Sequence, residues 1–497
     1  MNANLKFTVS QIESEFLIIK NSETNKYSKL YLAIKNCIIN SILPDNWQLP
    51  ATRLLAEELQ LSRTTVVKAY ELLQLENLII GKTGSGYRVH FKIDITQQVN
   101  IITKKVDLDS YPEISENGKS FLENVSLINR SPTAGIAFRP GLPPLDLFPI
   151  NQWKNLLNSY WRHVKVSTLS YSRSTGIEPL KKEICNYLNV SRGIKCNYRQ
   201  VMVVSGSLQS LYLIANVLIN TGDSVILENP TFPNIYSIFK SMRANLIPTD
   251  LDDEGISIEK IKRIKEKNCK LIVTTPSNQY PTSVKMSLQR RMELLEWASK
   301  NKTLIIENDF EHEIGNSLEK LPSIFSIDNE DRTIYMGTFN RLLHPSIRLG
   351  YMIVPKYLVS AVEALQEHSH RFVPPSIQIV MSEFIKRNYL YQHLKNIIEV
   401  AKKRRELFIR EISKSNTIVV DSSSFNSLHI VAKFKNSTST HQEKEIIDKL
   451  KKANISVFSL SKCYIKEPKS TGLLFGYSAA REQTIIKKVK TVIEVIG

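Results

Sequence analysis

The sequence predicts an α/β protein of two unequal modules: a small helical one at the N-terminus and a large one organised around a mainly parallel sheet. Three observations carry this. The chain has 497 residues, more than the roughly 100–200 of an ordinary domain. Between Tyr27 and His90, apolar residues recur at helical spacing and then pass into a glycine-rich hairpin pattern. From about residue 136 onward, short β-branched runs alternate with amphipathic stretches. A composition of 42% hydrophobic and 23% charged residues is globular, which excludes disordered, collagen-like and disulfide-scaffold classes.

The first helix of the small module is expected over Tyr27 to Leu43, where Tyr31, Ile34, Ile38 and Ile42 fall on one face and Pro44 closes the run. A short helix over Thr52 to Leu59 turns Leu55 and Leu59 inward. Ser62 then caps a third helix that buries Val66, Tyr70 and Leu73 and ends near Asn77. Its first turn offers Arg63, Thr64 and Thr65, followed by Lys68. Two short helices with this connection form a helix-turn-helix, in which the opening turn of the second helix meets base edges while amides and basic side chains hold phosphates. Leu78-Ile79-Ile80 and Tyr87-Arg88-Val89 flank the turn Gly81 to Gly86 as a β-hairpin, with Lys82, Gly84, Ser85 and Gly86 at a tip that can approach a phosphate backbone closely.

The strings Leu-Pro-Ala-Thr-Arg-x-Leu-Ala from Leu49, Leu-Ser-Arg-Thr-Thr-Val from Leu61, Ala69-Tyr70 and Gly84-Ser-Gly-Tyr87 closely resemble the winged helix of GntR-type bacterial transcription regulators. The resemblance implies that Arg53, Arg63, Thr65 and the wing at Gly84 to Gly86 touch operator DNA. The DNA-binding module is placed at 27–90.

Residues 91–135 lose any clear period and read as a mobile connector. In the large module, 136–497, strands are expected at Val201–Val204, Val225–Leu227, Leu271–Thr274, Leu304–Ile306 and Ile334–Met336, with helices such as Leu208–Ile219 and Leu288–Ser299 between them. Ligands of such sheets bind beyond the strands' carboxyl ends. Those ends carry Ser205-Gly206-Ser207-Leu208-Gln209, Glu228-Asn-Pro-Thr-Phe232-Pro, Thr275 to Thr282, Glu307-Asn308-Asp309-Phe310, and Gly337-Thr338-Phe339-Asn340-Arg341 running on to Arg348-Leu-Gly-Tyr351.

In this order the segments resemble fold-type-I aminotransferases, and specifically the aminotransferase-like half of MocR-type regulators, the GntR subgroup that fuses both modules. The resemblance implies a pyridoxal 5′-phosphate (PLP) pocket in which Gly206, Ser207, Leu208, Thr338 and Arg348 match the phosphate cup and Phe232 the aromatic on the ring. It also marks departures. Arg341 stands where the family has its Schiff-base lysine; a guanidinium stays protonated and offers no nucleophilic amine. Asn308 replaces the aspartate that pairs with the pyridine nitrogen, and Phe310 replaces the tyrosine that reaches the ring's 3-oxygen. Asn278 and Ser283 replace a histidine and a glycine, and no arginine lies within Thr471 to Ser478, where a substrate carboxylate would be anchored. Arg341 is expected to add a fixed positive charge that favours an anion.

The resulting expectation is a DNA-binding transcription regulator whose aminotransferase-like domain senses an effector and dimerises, without transaminase activity and with no catalytic lysine. The alternative is a PLP-dependent aminotransferase with a DNA-binding arm. Expected partners are double-stranded operator DNA, a small-molecule effector and a second copy of the chain. Covalent PLP is not expected, while non-covalent PLP or another anionic ligand remains open. No apolar run is long enough to span a bilayer, and Phe16–Ile19 is too short for a secretory signal, so a cytoplasmic protein is predicted. Cys37, Cys185, Cys196, Cys269 and Cys463 lack metal-ligand spacing and read as reduced, mostly structural thiols. An excess of 66 Lys+Arg over 48 Asp+Glu, net +18, favours an anionic partner.

Overall fold

The computed structural model describes residues 3–19, 25–82, 86–91, 112–128, 137–265, 269–314, 321–420 and 427–497. They divide into two units, Met1–Pro112 and Glu113–Gly497. In the first, helices α1 (Ala3–Ile18), α2 (Lys26–Ile39), α3 (Thr52–Glu58) and α4 (Arg63–Leu75) precede the antiparallel hairpin of β1 (Ile79–Lys82) and β2 (Gly86–Val89). Leu30, Ile34, Cys37, Ile38, Leu55, Val66, Tyr70 and Leu73 form its core. The hairpin gains a third extended segment: Asn46 and Leu49 donate backbone N–H bonds to the carbonyls of Val89 and Tyr87, and Val89 donates back to Trp47, each at 2.9 Å.

Two features of this unit differ from expectation. Helix α2 stops at Ile39 rather than Leu43, because Ser41 turns to φ 57° and the Leu43 N–H bonds to the Cys37 carbonyl. Helix α1 was not anticipated; it buries Val9 and Ile12 against the same core, and Trp47 donates its indole N–H to Thr8 at 2.9 Å. The three-then-four spacing of Val9, Ile12 and Phe16 was its sequence signal.

The second unit begins with α5 (Glu116–Asn124), α6 (Ile150–His163) and α7 (Glu178–Arg192), followed by strand β3 (Val201–Val204), α8 (Ser207–Leu218), β4 (Ser224–Asn229) and α9 (Pro233–Ser241). Strands β5 (Asn245–Asp252), β6 (Gly255–Ile256), β7 (Cys269–Thr274), β8 (Leu304–Asn308), β9 (Thr333–Thr338) and β10 (Gly350–Ile353) complete an eight-stranded sheet of order β3-β10-β9-β8-β7-β4-β5-β6. The five strands from β9 to β5 are mutually parallel, while β10 and β6 run antiparallel to their neighbours. Every residue of β3, β4, β8, β9 and β10 is buried, as helices on both faces of a parallel sheet require. A second, antiparallel sheet joins β11 (Ile418–Val420), β12 (His429–Phe434), β14 (Gly472–Gly476) and β13 (Phe458–Ser459), accompanied by the helices Tyr389–Ile412, Thr440–Lys452 and Glu482–Ile496.

The expected connector needs correction between Glu113 and Ile128. There α5 is capped by Ser115, whose hydroxyl accepts the Gly118 N–H at 3.1 Å, and Glu116 pairs with Arg243 at 2.9 Å. Phe121 meets the Tyr212 ring, so a cap and an aromatic anchor give this stretch structure that its polar composition concealed. Of the rest of the connector, 92–111 and 129–135 lie outside the described residues.

Candidate functional site

In the first unit, Ser62 caps α4 as its sequence position implies: its hydroxyl accepts the Thr65 N–H at 3.2 Å and lies 2.8 Å from the Thr65 hydroxyl. Arg63 and Thr64 open the helix on its exposed side, Thr65 is half-buried, and Lys68 is exposed with its ammonium over the Tyr27 ring. Arg53 is exposed on the first turn of α3. Behind them Tyr70 locks the frame, donating to the Pro50 carbonyl at 2.9 Å and meeting the Tyr87 ring edge-on. The backbone of Lys82 ends β1, and Gly86 opens β2 with φ 77°, a conformation that suits glycine. Gly84 and Ser85 lie outside the described residues.

In the second unit the predicted cofactor residues gather at the carboxyl ends of β3, β4, β8 and β9. Gly206 takes φ 140° at the mouth of α8, and a Cβ there would fall 2.7 Å from the Asn340 amide nitrogen. Asn340 ties the cup together: it donates to the Ser205 carbonyl at 3.1 Å and accepts the Leu349 N–H at 2.8 Å. Its own N–H reaches the Thr338 hydroxyl at 3.2 Å. Arg348, in the left-handed region at φ 50°, donates to the Ser205 hydroxyl at 3.2 Å. Together with the leading amides of Ser207 and Leu208, this set has the polarity of an anion cradle at a helix N-terminus.

The opposite end is built differently. Arg341 donates to Glu311 at 2.7 Å, and its guanidinium carbon lies 4.5 Å from the Phe310 ring centre and 5.9 Å from that of Phe232. Glu311, fully buried, also accepts from the Ser427 hydroxyl at 2.9 Å and the Leu428 N–H at 3.3 Å. Ser427 in turn makes a short hydrogen bond with His429, which burial holds below the ordinary histidine pKa. The expected free positive charge at Arg341 is therefore corrected: Glu311 neutralises it.

Asn308 is buried at the end of β8, and its side-chain oxygen has no hydrogen-bond partner among the described residues. Asp309 does not substitute for the missing pyridine-pairing carboxylate. Burial alone would raise its pKa, but the Arg192 guanidinium at 2.9 Å outweighs this and holds it low, and Tyr335 donates to it at 2.8 Å. Around Phe310, Tyr280, Leu460, Cys463 and Leu474 close an apolar cluster; Leu474 lies in the stretch where a carboxylate-anchoring arginine was sought and not found. The donors at the mouth of α8 suit a phosphate, whereas Arg341, a guanidinium already paired with Glu311, does not suit the Schiff-base chemistry of PLP. Sequence reading missed Glu311, Ser427 and His429. Glu311 stood only three positions beyond Asn308, but nothing in the string tied it to Arg341.

Among the described residues no helix is long and apolar enough to cross a membrane. Residues 26–89 match the model of bacterial regulatory proteins of the gntR family, and residues 144–474 match that of aminotransferase class I and II. The chain is 29% identical to the HTH-type transcriptional regulator YdeL of Bacillus subtilis, over 93% of this chain and 96% of that protein. It is 27% identical to the probable rhizopine catabolism regulatory protein MocR of Rhizobium meliloti, over 94% and 92%. The fold matches the multiple substrate aminotransferase of Thermococcus profundus with a TM-score of 0.67 at 23% identity, over 79% of this chain and 98% of that one. The chain belongs to the aminotransferase class I and II family and carries a GntR-family helix-turn-helix domain ahead of it, the composition of MocR-type regulators.

Proposed function

We infer that this protein is a DNA-binding transcription regulator whose aminotransferase-like unit holds a ligand without performing transamination. The observation that carries the reading is the pairing of Arg341, which we align with the family's Schiff-base lysine, with buried Glu311. A guanidinium tied to a carboxylate and stacked on Phe310 cannot attack an aldehyde. Thr338, Arg348 and the amides of Ser207 and Leu208 would hold the ligand's phosphate. Phe232 would cover its ring, and Asn308 would meet a polar ring atom. PLP bound non-covalently, or another phosphorylated metabolite, answers to this set.

At the DNA end, Arg53, Ser62, Arg63, Thr64, Thr65 and Lys68 are the proposed contacts, joined by the wing from Lys82 to Gly86. A second copy of the chain is the expected partner. Ile150 and Trp161, which share one face of α6, and Val166, Leu169 and Tyr171 after it are all exposed apolar side chains. The test is binding of the purified protein to its own promoter fragment and to random DNA across a salt series. Arg63→Ala should weaken promoter binding by about 1–3 kcal/mol and leave random DNA nearly unchanged, whereas Lys82→Ala should mainly lower the salt slope. Equal losses on both DNAs would remove Arg63 as a base reader, and no promoter preference in the wild type would overturn the regulator reading.

A further inference from the structure

Cys185 and Cys196, eleven residues apart in sequence, meet in the fold. Cys185 sits on α7, which ends at Arg192 with Gly193 in the left-handed conformation. That reversal carries Cys196 back beside the helix, with its thiol 3.2 Å from the Cys185 sulfur. Both side chains are half-buried, whereas Cys37, Cys269 and Cys463 are buried. The two sulfurs need to approach by only about 1 Å to reach bonding distance.

We propose that Cys185 and Cys196 form a redox-modification site that closes reversibly to an intramolecular disulfide when the protein meets a small-molecule disulfide such as oxidised glutathione. Cys185 is the attacking group. The hydrogen bond from Cys196 and the nearby Lys181 ammonium hold its thiol below the ordinary range against the effect of burial. Its thiolate attacks one sulfur of the oxidant, the oxidant's S–S bond breaks, and one glutathione thiolate leaves. Cys196 then loses its proton and attacks the Cys185 sulfur of the mixed disulfide, expelling the second glutathione. The protein gives up two electrons and two protons, and the oxidant becomes two thiols. The closed bond would fasten the last turns of α7 to the segment leading into β3. Helix α7 also carries Arg192, which pairs with Asp309 just past the end of β8.

The experiment equilibrates the reduced full-length protein with oxidised and reduced glutathione over a range of ratios, blocks free thiols with N-ethylmaleimide, and maps tryptic peptides without reduction. Arg192 and Lys195 lie between the two cysteines, so trypsin separates their peptides unless a disulfide joins them. The expected result is a linked pair of residues 183–192 with 196–199, both sites lost to alkylation together while Cys37, Cys269 and Cys463 remain alkylated only after unfolding. Cys185→Ser should abolish the linked peptide, and dithiothreitol should restore both thiols in the wild type. Recovery of both cysteines as alkylated peptides, separate glutathione adducts on each, or a bond between two chains would overturn the proposal.

Discussion

At Arg341 the proposed loss of Schiff-base chemistry rests on one side chain. Its charge is spent on Glu311 inside a buried network that continues through Ser427 to His429. Removing one member of a buried ion pair leaves the other charge desolvated and alone, which typically costs about 3–5 kcal/mol. Arg341→Ala should therefore lower the unfolding free energy extrapolated from urea titration by an amount of that order, while Arg341→Lys, which keeps a cation beside Glu311, should lose much less. Equal losses for the two variants would show that Glu311 does not depend on this charge. The residue's identity was fully legible in the sequence, bracketed by Gly337-Thr338-Phe339 and Arg348-Leu349-Gly350-Tyr351. Its partner was not, since Glu311 is thirty residues away and reaches Arg341 only because β8 and β9 are adjacent in the sheet.

Among the elements, the longest described helix, Tyr389–Ile412, is tied to the start of the aminotransferase-like fold by one charge cluster. Arg404 donates to both oxygens of Asp146, at 3.0 and 2.7 Å, and to the Ser478 carbonyl, while Arg481 lies 3.4 Å from the same carboxylate. The hydrogen bonds from Arg404 hold the Asp146 pKa below its usual value. A carboxyl depressed in the folded state contributes stability that is present above its unfolded pKa, near 3.9, and is lost as the pH falls through the folded value. Asp146→Asn should flatten the loss of stability below about pH 4 measured by urea unfolding, with little further change in pH dependence near neutrality. An acid limb identical to that of the wild type would exclude this pair as its source. The elements themselves were partly readable: β3, β4, β7, β8 and β9 fall where β-branched runs predict them, because a sheet buried on both faces demands such runs, whereas β5 and β6 at the sheet edge, with β5 only half-buried, were not anticipated. Helices α1 and α5 were harder. The first is short of polar contrast, and the second is polar but fixed by a serine cap and Phe121.

For the whole molecule, charge proved a poor guide to the DNA-reading part. Residues 1–112 hold 13 Lys and Arg against 11 Asp and Glu, so nearly all of the +18 belongs to the second unit. The proposed reading face rests on the local placement of Arg53, Arg63 and Lys68, all exposed, and not on net charge. The exposed apolar side chains of α6 and the segment after it predict self-association. The wild type should sediment as a dimer at micromolar concentration, and the double variant Trp161→Asp, Leu169→Asp should shift it toward monomer without loss of helical signal; an unchanged dimer would place the interface elsewhere. The most direct test of the central claim, a ligand cavity kept and its covalent chemistry lost, is equilibrium dialysis of PLP against the purified protein with an absorbance scan of the bound fraction, Arg341→Lys run alongside. The account predicts that the wild type retains PLP without Schiff-base absorbance and that the lysine variant gains it. A Schiff-base band in the wild type that borohydride traps within the cavity, or failure of both forms to bind PLP or any other phosphorylated pyridine, would contradict it.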